Sequence, residues 1–169
     1  MTSNLFLKFE PAIDGESQDD AHAGEIEVYG WKWGMSQSGT MHVAGGGGGR
    51  KFHVKNLEIV KQTDSSTPNI MKHCAAGTHF DKATLYCRKA GGERLEYLTI
   101  EMNKVIICDW QADGNPSNDI PEEVVKLNFA EFVCTYDPQD AAGAGAERSP
   151  AAGTSRQTRR RADVTAVPD

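Results

Sequence analysis

Near the start of the chain Leu5, Leu7 and Phe9 take alternate positions, the period of a strand with one buried face, and Pro11 ends the run. A polar, turn-rich stretch from Ala12 to Ala23 follows, and its lack of any apolar period predicts a long exposed loop with His22 solvated or capping. Glu25 to Met35 reads as a second strand whose apolar phase changes partway. Ile26 and Val28 hold even positions, whereas Tyr29, Trp31, Trp33 and Met35 hold odd ones, so a bulge is expected near Gly30. The same slip recurs between Phe52/Val54 and Leu57/Ile59 around Asn56, and between Leu127/Phe129 and Phe132/Cys134 around Ala130. Repeated slips suit strongly coiled strands that pass from one sheet face to another, as in a small barrel.

One helix is signalled. Thr67 is the expected N-cap with Pro68 at the first helical position, Gly77 closes it, and Ile70, Met71, Cys74 and Ala75 form an apolar stripe that should plug one opening of the barrel. Phe80 to Lys89 and Glu93 to Asp109 are expected to pair through a Gly91-Gly92 hairpin, and Glu122 to Tyr136 is the last strand. The expected fold is therefore mainly β: a small two-sheet β-barrel with one short α-helix. After Asp137-Pro138 the composition breaks. Residues 140–169 hold Ala, Gly, Arg, Ser, Thr and Pro with two valines as the only sizeable apolar side chains, too few to bury, so 1–139 is read as the domain and 140–169 as a disordered tail.

Composition narrows the chemistry. The net charge is -6, and residues 1–139 hold 13 of the 18 basic and 20 of the 24 acidic groups, an acidic body that argues against nucleic-acid binding. No run approaches the roughly 18 apolar residues of a membrane span, and the start of the chain lacks a basic then apolar leader. The four cysteines, Cys74, Cys87, Cys108 and Cys134, lack Cys-x-x-Cys spacing and are expected as buried free thiols; no metal site or cofactor is expected.

Gly45 to Gly49 invites catalytic readings that fail when spelled out. A phosphate loop needs Lys then Ser/Thr after its last glycine, but Arg50, Lys51 and Phe52 follow. A dinucleotide fingerprint starting at Gly45 would need glycine where Arg50 stands. Gly34-Met35-Ser36-Gln37-Ser38 does not close as a nucleophile elbow. Asp109, Asp113, Asp119, Glu122 and Glu123 could supply paired carboxylates, yet they read better as solvated charge, and no catalytic residue is expected. A monomeric barrel that binds a small ligand in its interior stays open as an alternative.

Taken in order, the Asp14-Gly15-Glu16-Ser17 loop, Trp31 to Gly39, the glycine loop, Ser66-Thr67-Pro68-Asn69, Arg88 to Gly92 and Leu127-Asn128-Phe129-Ala130 make residues 1–139 resemble the haemolysin-coregulated protein (Hcp) family of type VI secretion systems. The resemblance implies a barrel of which six copies close into a ring. Such rings stack into a hollow tube with a spike protein at its tip, driven by a contractile sheath. Export would be leaderless from the bacterial cytoplasm, with effector proteins held in the lumen. Pro11 to His22 (with Asp14, Gly15, Glu16 and Ser17) and Gly39 to Gly49 (with Gly45, Gly46, Gly47, Gly48 and Gly49) are the expected ring-stacking loops. Lys32, opposite the two tryptophans, is the expected lumen or effector contact.

Overall fold

A computed structural model describes residues 4–37, 52–89, 95–117 and 119–137. The chain order is β1 (Leu5–Glu10), β2 (Ile26–Val28), β3 (Gly30–Lys32), β4 (Met35–Gln37), β5 (Phe52–Val54), β6 (Leu57–Gln62), α1 (Thr67–Ala76), β7 (His79–Arg88), β8 (Glu96–Asp113) and β9 (Glu122–Tyr136). Seven strands form one antiparallel sheet in the order β2-β1-β7-β8-β9-β6-β3, and β4 with β5 forms a separate two-stranded sheet. The two outermost strands of the large sheet, β2 and β3, are consecutive pieces of one chain segment. Up to Val28 that segment pairs with β1, and from Gly30 it pairs with β6. At the junction the Tyr29 N–H donates to the Val60 carbonyl (2.8 Å). The sheet thereby rolls into a nearly closed barrel, and the slip expected at Gly30 is the point of closure.

A second slip acts on two strands at once. Ile100 and Met102 are buried at even positions of β8 but Val105 and Ile107 at odd ones, while on β9 the core residues pass from Val125, Leu127 and Phe129 to the half-buried Phe132. The register is the same on both sides, Met102 facing Phe132 and Val105 facing Phe129. Between them Lys104 takes a left-handed backbone (φ 55) opposite the position of Ala130, so both strands turn over together. Near Cys108 the register itself shifts, on β8 alone. The third slip, at Asn56, separates β5, paired with β4, from β6, paired with β9 and β3.

The barrel is filled. Leu7, Phe9, Ile26, Val28, Leu57, Ile59, Ile70, Leu85, Ile100, Met102, Val105, Leu127 and their neighbours form one buried cluster, with Trp31 and Trp33 half-buried against it.

Four expectations need correction. The helix N-cap is Ser66 rather than Thr67, and Gly77 closes the helix with φ 59, its N–H donating to the Cys74 carbonyl (3.3 Å). Ile70 is buried and Cys74 half-buried, but Met71 and Ala75 face outward, because β8 covers a narrower face of α1 than the stripe assumed. Of the cysteines only Cys87 is buried; Cys74 is half-buried, and Cys108 and Cys134 are exposed, Cys108 at the point where the β8 register slips against β9.

The fourth correction concerns residues 12–23, which are not a free loop. Ile13, Ser17, Asp19 and His22 are buried, and the segment lies on the outer face of β1 and β7. There the His22 ring stacks on Phe6 (4.4 Å between centroids) and meets Tyr86 (4.8 Å). Its two nitrogens reach Glu25 (2.8 Å) and Glu96 (3.1 Å). Beside it the Arg88 guanidinium, 4.7 Å from the centre of the Phe6 ring, holds Asp19 through two bonds of 3.0 and 2.6 Å. The hairpin expected at Gly91-Gly92 and the segment 140–169 lie outside the described residues.

Candidate functional site

The Asp14–Ser17 segment is positioned by backbone. Gly15 N–H donates to the Gly24 carbonyl (2.8 Å), Ser17 N–H to the Glu25 carbonyl (3.1 Å), and Gly24 N–H to the Ser17 carbonyl (2.9 Å). Gly15 is required there, since a β-carbon would run into the Glu25 carbonyl. Ser17 is buried and structural, while Asp14 and Glu16 are exposed and present carboxylates at the surface. The Glu16 carboxylate also accepts from the Ser65 N–H (3.0 Å), which ties this loop to the turn that opens α1. The second expected stacking element, Gly45 to Gly49, lies outside the described residues; what leads into and out of it is the β4–β5 ribbon, with Met35 and Phe52 both exposed.

Lys32 is exposed, as alternation with the half-buried Trp31 and Trp33 requires. The register puts it opposite Glu58 on β6, Glu58 opposite Lys126 on β9, and Lys126 opposite Asp109 on β8. The last two form an ion pair of 3.2 Å. Across four strands the outer face thus carries a row of alternating charge, with Lys32 at its end.

The five carboxylates considered for acid/base work do not converge. Asp109 is engaged by Lys126, and Asp113 and Glu122 face one another at the exposed end of the β8–β9 pair. Asp119 and Glu122 border an open groove with Gln62, Ser117 and Ile120. Glu123 corrects the expectation of solvated charge: it lies on the phase of Val125 and Leu127, points the other way into the barrel and is fully buried. Its carboxylate accepts from Lys61 (3.2 Å), Thr63 (2.8 Å), Thr67 (2.8 Å) and the Trp110 indole (3.3 Å). Burial pushes this carboxyl up, but the hydroxyl donors, Lys61 and the indole outweigh it and hold the group below its ordinary value of 4.5. Burial likewise pushes the Cys87 thiol up to about 11, where it is neutral and inert at physiological pH.

One surface the alternation argument missed is the far half of β9. β6 pairs only with Glu122–Leu127, so among the described residues no strand covers the second edge of β9 from Asn128 to Tyr136. Val133 and Tyr136 are exposed along it. The signal lay in the lengths: β9 runs for 15 residues and β6 for 6. A long uncovered edge is a surface for pairing with another chain.

Comparison with known proteins agrees with this picture. Residues 6–136 match the family described as type VI secretion system effector, Hcp. Protein hcp1 of Pseudomonas aeruginosa is 46% identical over 145 residues, covering 85% of this chain and 89% of that protein. Hcp1 from Salmonella typhimurium superposes with a TM-score of 0.69 at 36% identity, covering 86% of this chain and 92% of its own. A further structure of a type six secretion system protein gives a TM-score of 0.78 at 26% identity, covering 84% and 88%.

Proposed function

Because this chain belongs to the Hcp family and is a tube protein of type VI secretion whose family self-assembles into rings, we propose that six copies close through the uncovered edge of β9 and stack face to face. The observation that supports ring closure is that edge: an open strand of nine residues is a liability unless it is paired, and a closed point group pairs it without generating a fibre within the ring. Stacking would use the surface carboxylates of Asp14 and Glu16 on one side and the β4–β5 ribbon with the glycines beyond it on the other. Lys32, at the end of its charge row, is the proposed lumen contact for effector proteins. A spike protein at the tip and a contractile sheath outside are the further partners of this reading. The protein would wait in the bacterial cytoplasm and then be secreted with the tube. The filled barrel interior gives no support to a small-ligand carrier.

Light scattering on the purified chain tests this. The expected mass is that of six 18.4 kDa subunits; a monomer at micromolar concentration would overturn the ring.

A further inference from the structure

The β4–β5 ribbon pairs only with itself among the described residues, and a two-stranded ribbon of three residues a side does not hold a direction in water by its own bonds. Its direction is therefore set at its root, where the chain leaves the barrel at Trp33-Gly34 and returns at Lys55-Asn56. The two root segments are joined to each other: Lys55 N–H donates to the Gly34 carbonyl (3.0 Å), and the Trp33 indole N–H donates to the Lys55 carbonyl (2.9 Å). Each is also fastened to β9. The Trp33 ring meets Phe129 and Phe132 edge-on, with centroids 5.8 and 4.8 Å away. On the returning side Asn128 Nδ2 donates to Asn56 Oδ1 (2.9 Å). Asn56 Nδ2 donates in turn to the Cys108 sulfur (3.3 Å), whose thiol donates to the Lys126 carbonyl (3.3 Å).

Asn128 and Phe129 are neighbours on one strand, so their side chains leave opposite faces of the sheet. Trp33 grips β9 from the core face and Asn56 grips it from the outer face. Buried alternation alone explains Phe129, but it does not explain an amide at Asn128 that bonds the amide of Asn56, the residue at the kink. We infer that Asn128 is a positioning residue which, through Asn56 and together with Trp33, fixes the angle of the β4–β5 ribbon and so governs how one ring seats on the next. This rests on the stacking reading given above, in which the ribbon is a ring-to-ring contact. The clamp governs stacking rather than ring closure, because the uncovered edge of β9 starts at Asn128 and uses backbone that the substitution leaves in place.

The experiment uses the full chain and the variants Asn128→Ala, Asn56→Ala and the double variant. Three quantities are read: ring mass by light scattering, backbone amide exchange in residues 35–37 and 52–55 by mass spectrometry, and stack length by negative-stain microscopy. Expected for either single variant are wild-type ring mass, an unchanged urea midpoint, roughly tenfold faster exchange confined to the ribbon, and shortened stacks. The double variant should match Asn56→Ala, because that substitution already removes the bond Asn128 makes. Unchanged exchange in the ribbon overturns the clamp, as does a lowered midpoint with exchange raised throughout the barrel, which would make the bond merely structural. Faster ribbon exchange with wild-type stacks overturns the link to stacking. If the wild type forms no rings, it is the ring reading that fails, and the exchange data still decide whether the clamp exists.

Discussion

At the scale of single residues the decisive site is the buried pair of Lys61 and Glu123. Lys61 Nζ reaches Glu123 (3.2 Å), Asp64 (2.9 Å), Thr67 (3.2 Å) and the Gln62 carbonyl (2.7 Å), so both charges are surrounded by partners although each is almost fully buried. The Glu123 carboxyl lies below 4.5 when folded and returns to that value on unfolding, so the unfolded chain takes up the proton first as pH falls. Its contribution to stability is fully present above about pH 4.5 and is lost as pH drops through the lowered folded value. Glu123→Gln should cost about 3 kcal/mol at pH 7, because Lys61 keeps only Asp64 as a charged partner, and should flatten the acid limb of the stability curve. Urea unfolding at fixed protein concentration between pH 3 and pH 7 checks both parts, and a parallel curve for wild type and variant would refute the assignment. The expectation of Glu123 as solvated charge is wrong, although the alternation carried the contrary mark. Lys61 falls on the phase of Leu57 and Ile59, and Glu123 on that of Val125 and Leu127, so two opposite charges stand at core positions. His22, Asp19 and Arg88 carried no such mark. They are buried on the outer face of the sheet by a segment without period, and their partners are up to 74 positions away in the chain.

At the scale of elements, all three phase slips in the sequence correspond to events in the fold, but of different kinds. Gly30 is where one strand changes partners, Asn56 is the ribbon root, and Ala130 with Lys104 is a paired turnover of β8 and β9. Periodicity shows that a strand changes face; it does not show which strand it pairs with afterwards, since that depends on the whole sheet order. For the same reason the period could not show that residues 12–23 pack on β1 and β7. The turnover makes its own prediction. Lys104 holds φ 55, a conformation that costs a non-glycine residue about 1 kcal/mol or more. Lys104→Gly should stay within about 1 kcal/mol of wild type, strain relief offsetting the added freedom of the unfolded chain. Lys104→Val places a β-branched residue in the same conformation and should lose about 1–2 kcal/mol. Equal urea midpoints for the two variants would show that the left-handed backbone carries no strain.

For the whole molecule the question is where the folding unit ends. β9 finishes at Tyr136, and the Asp137 N–H donates to the Tyr97 carbonyl (2.9 Å), continuing the β8–β9 pairing one step past the strand. The buried cluster draws its last member, Phe129, from well before that point, and the family match ends at residue 136. Residues 140–169 offer Val164 and Val167 as their only sizeable apolar side chains, roughly 1.5–3 kcal/mol each at best if wholly buried, against about 1–2 kcal/mol of backbone entropy for every residue ordered. On that balance we propose that the folding unit ends by residue 139. A chain ending at Gln139 should keep the urea midpoint of the full chain and the mass of a six-subunit ring. Should the midpoint fall while the ring persists, the folding unit extends beyond residue 139. If instead only the shortened chain forms a ring, the five arginines and four carboxylates of 140–169 act against closure, and the full chain should then recover the ring as added salt screens them.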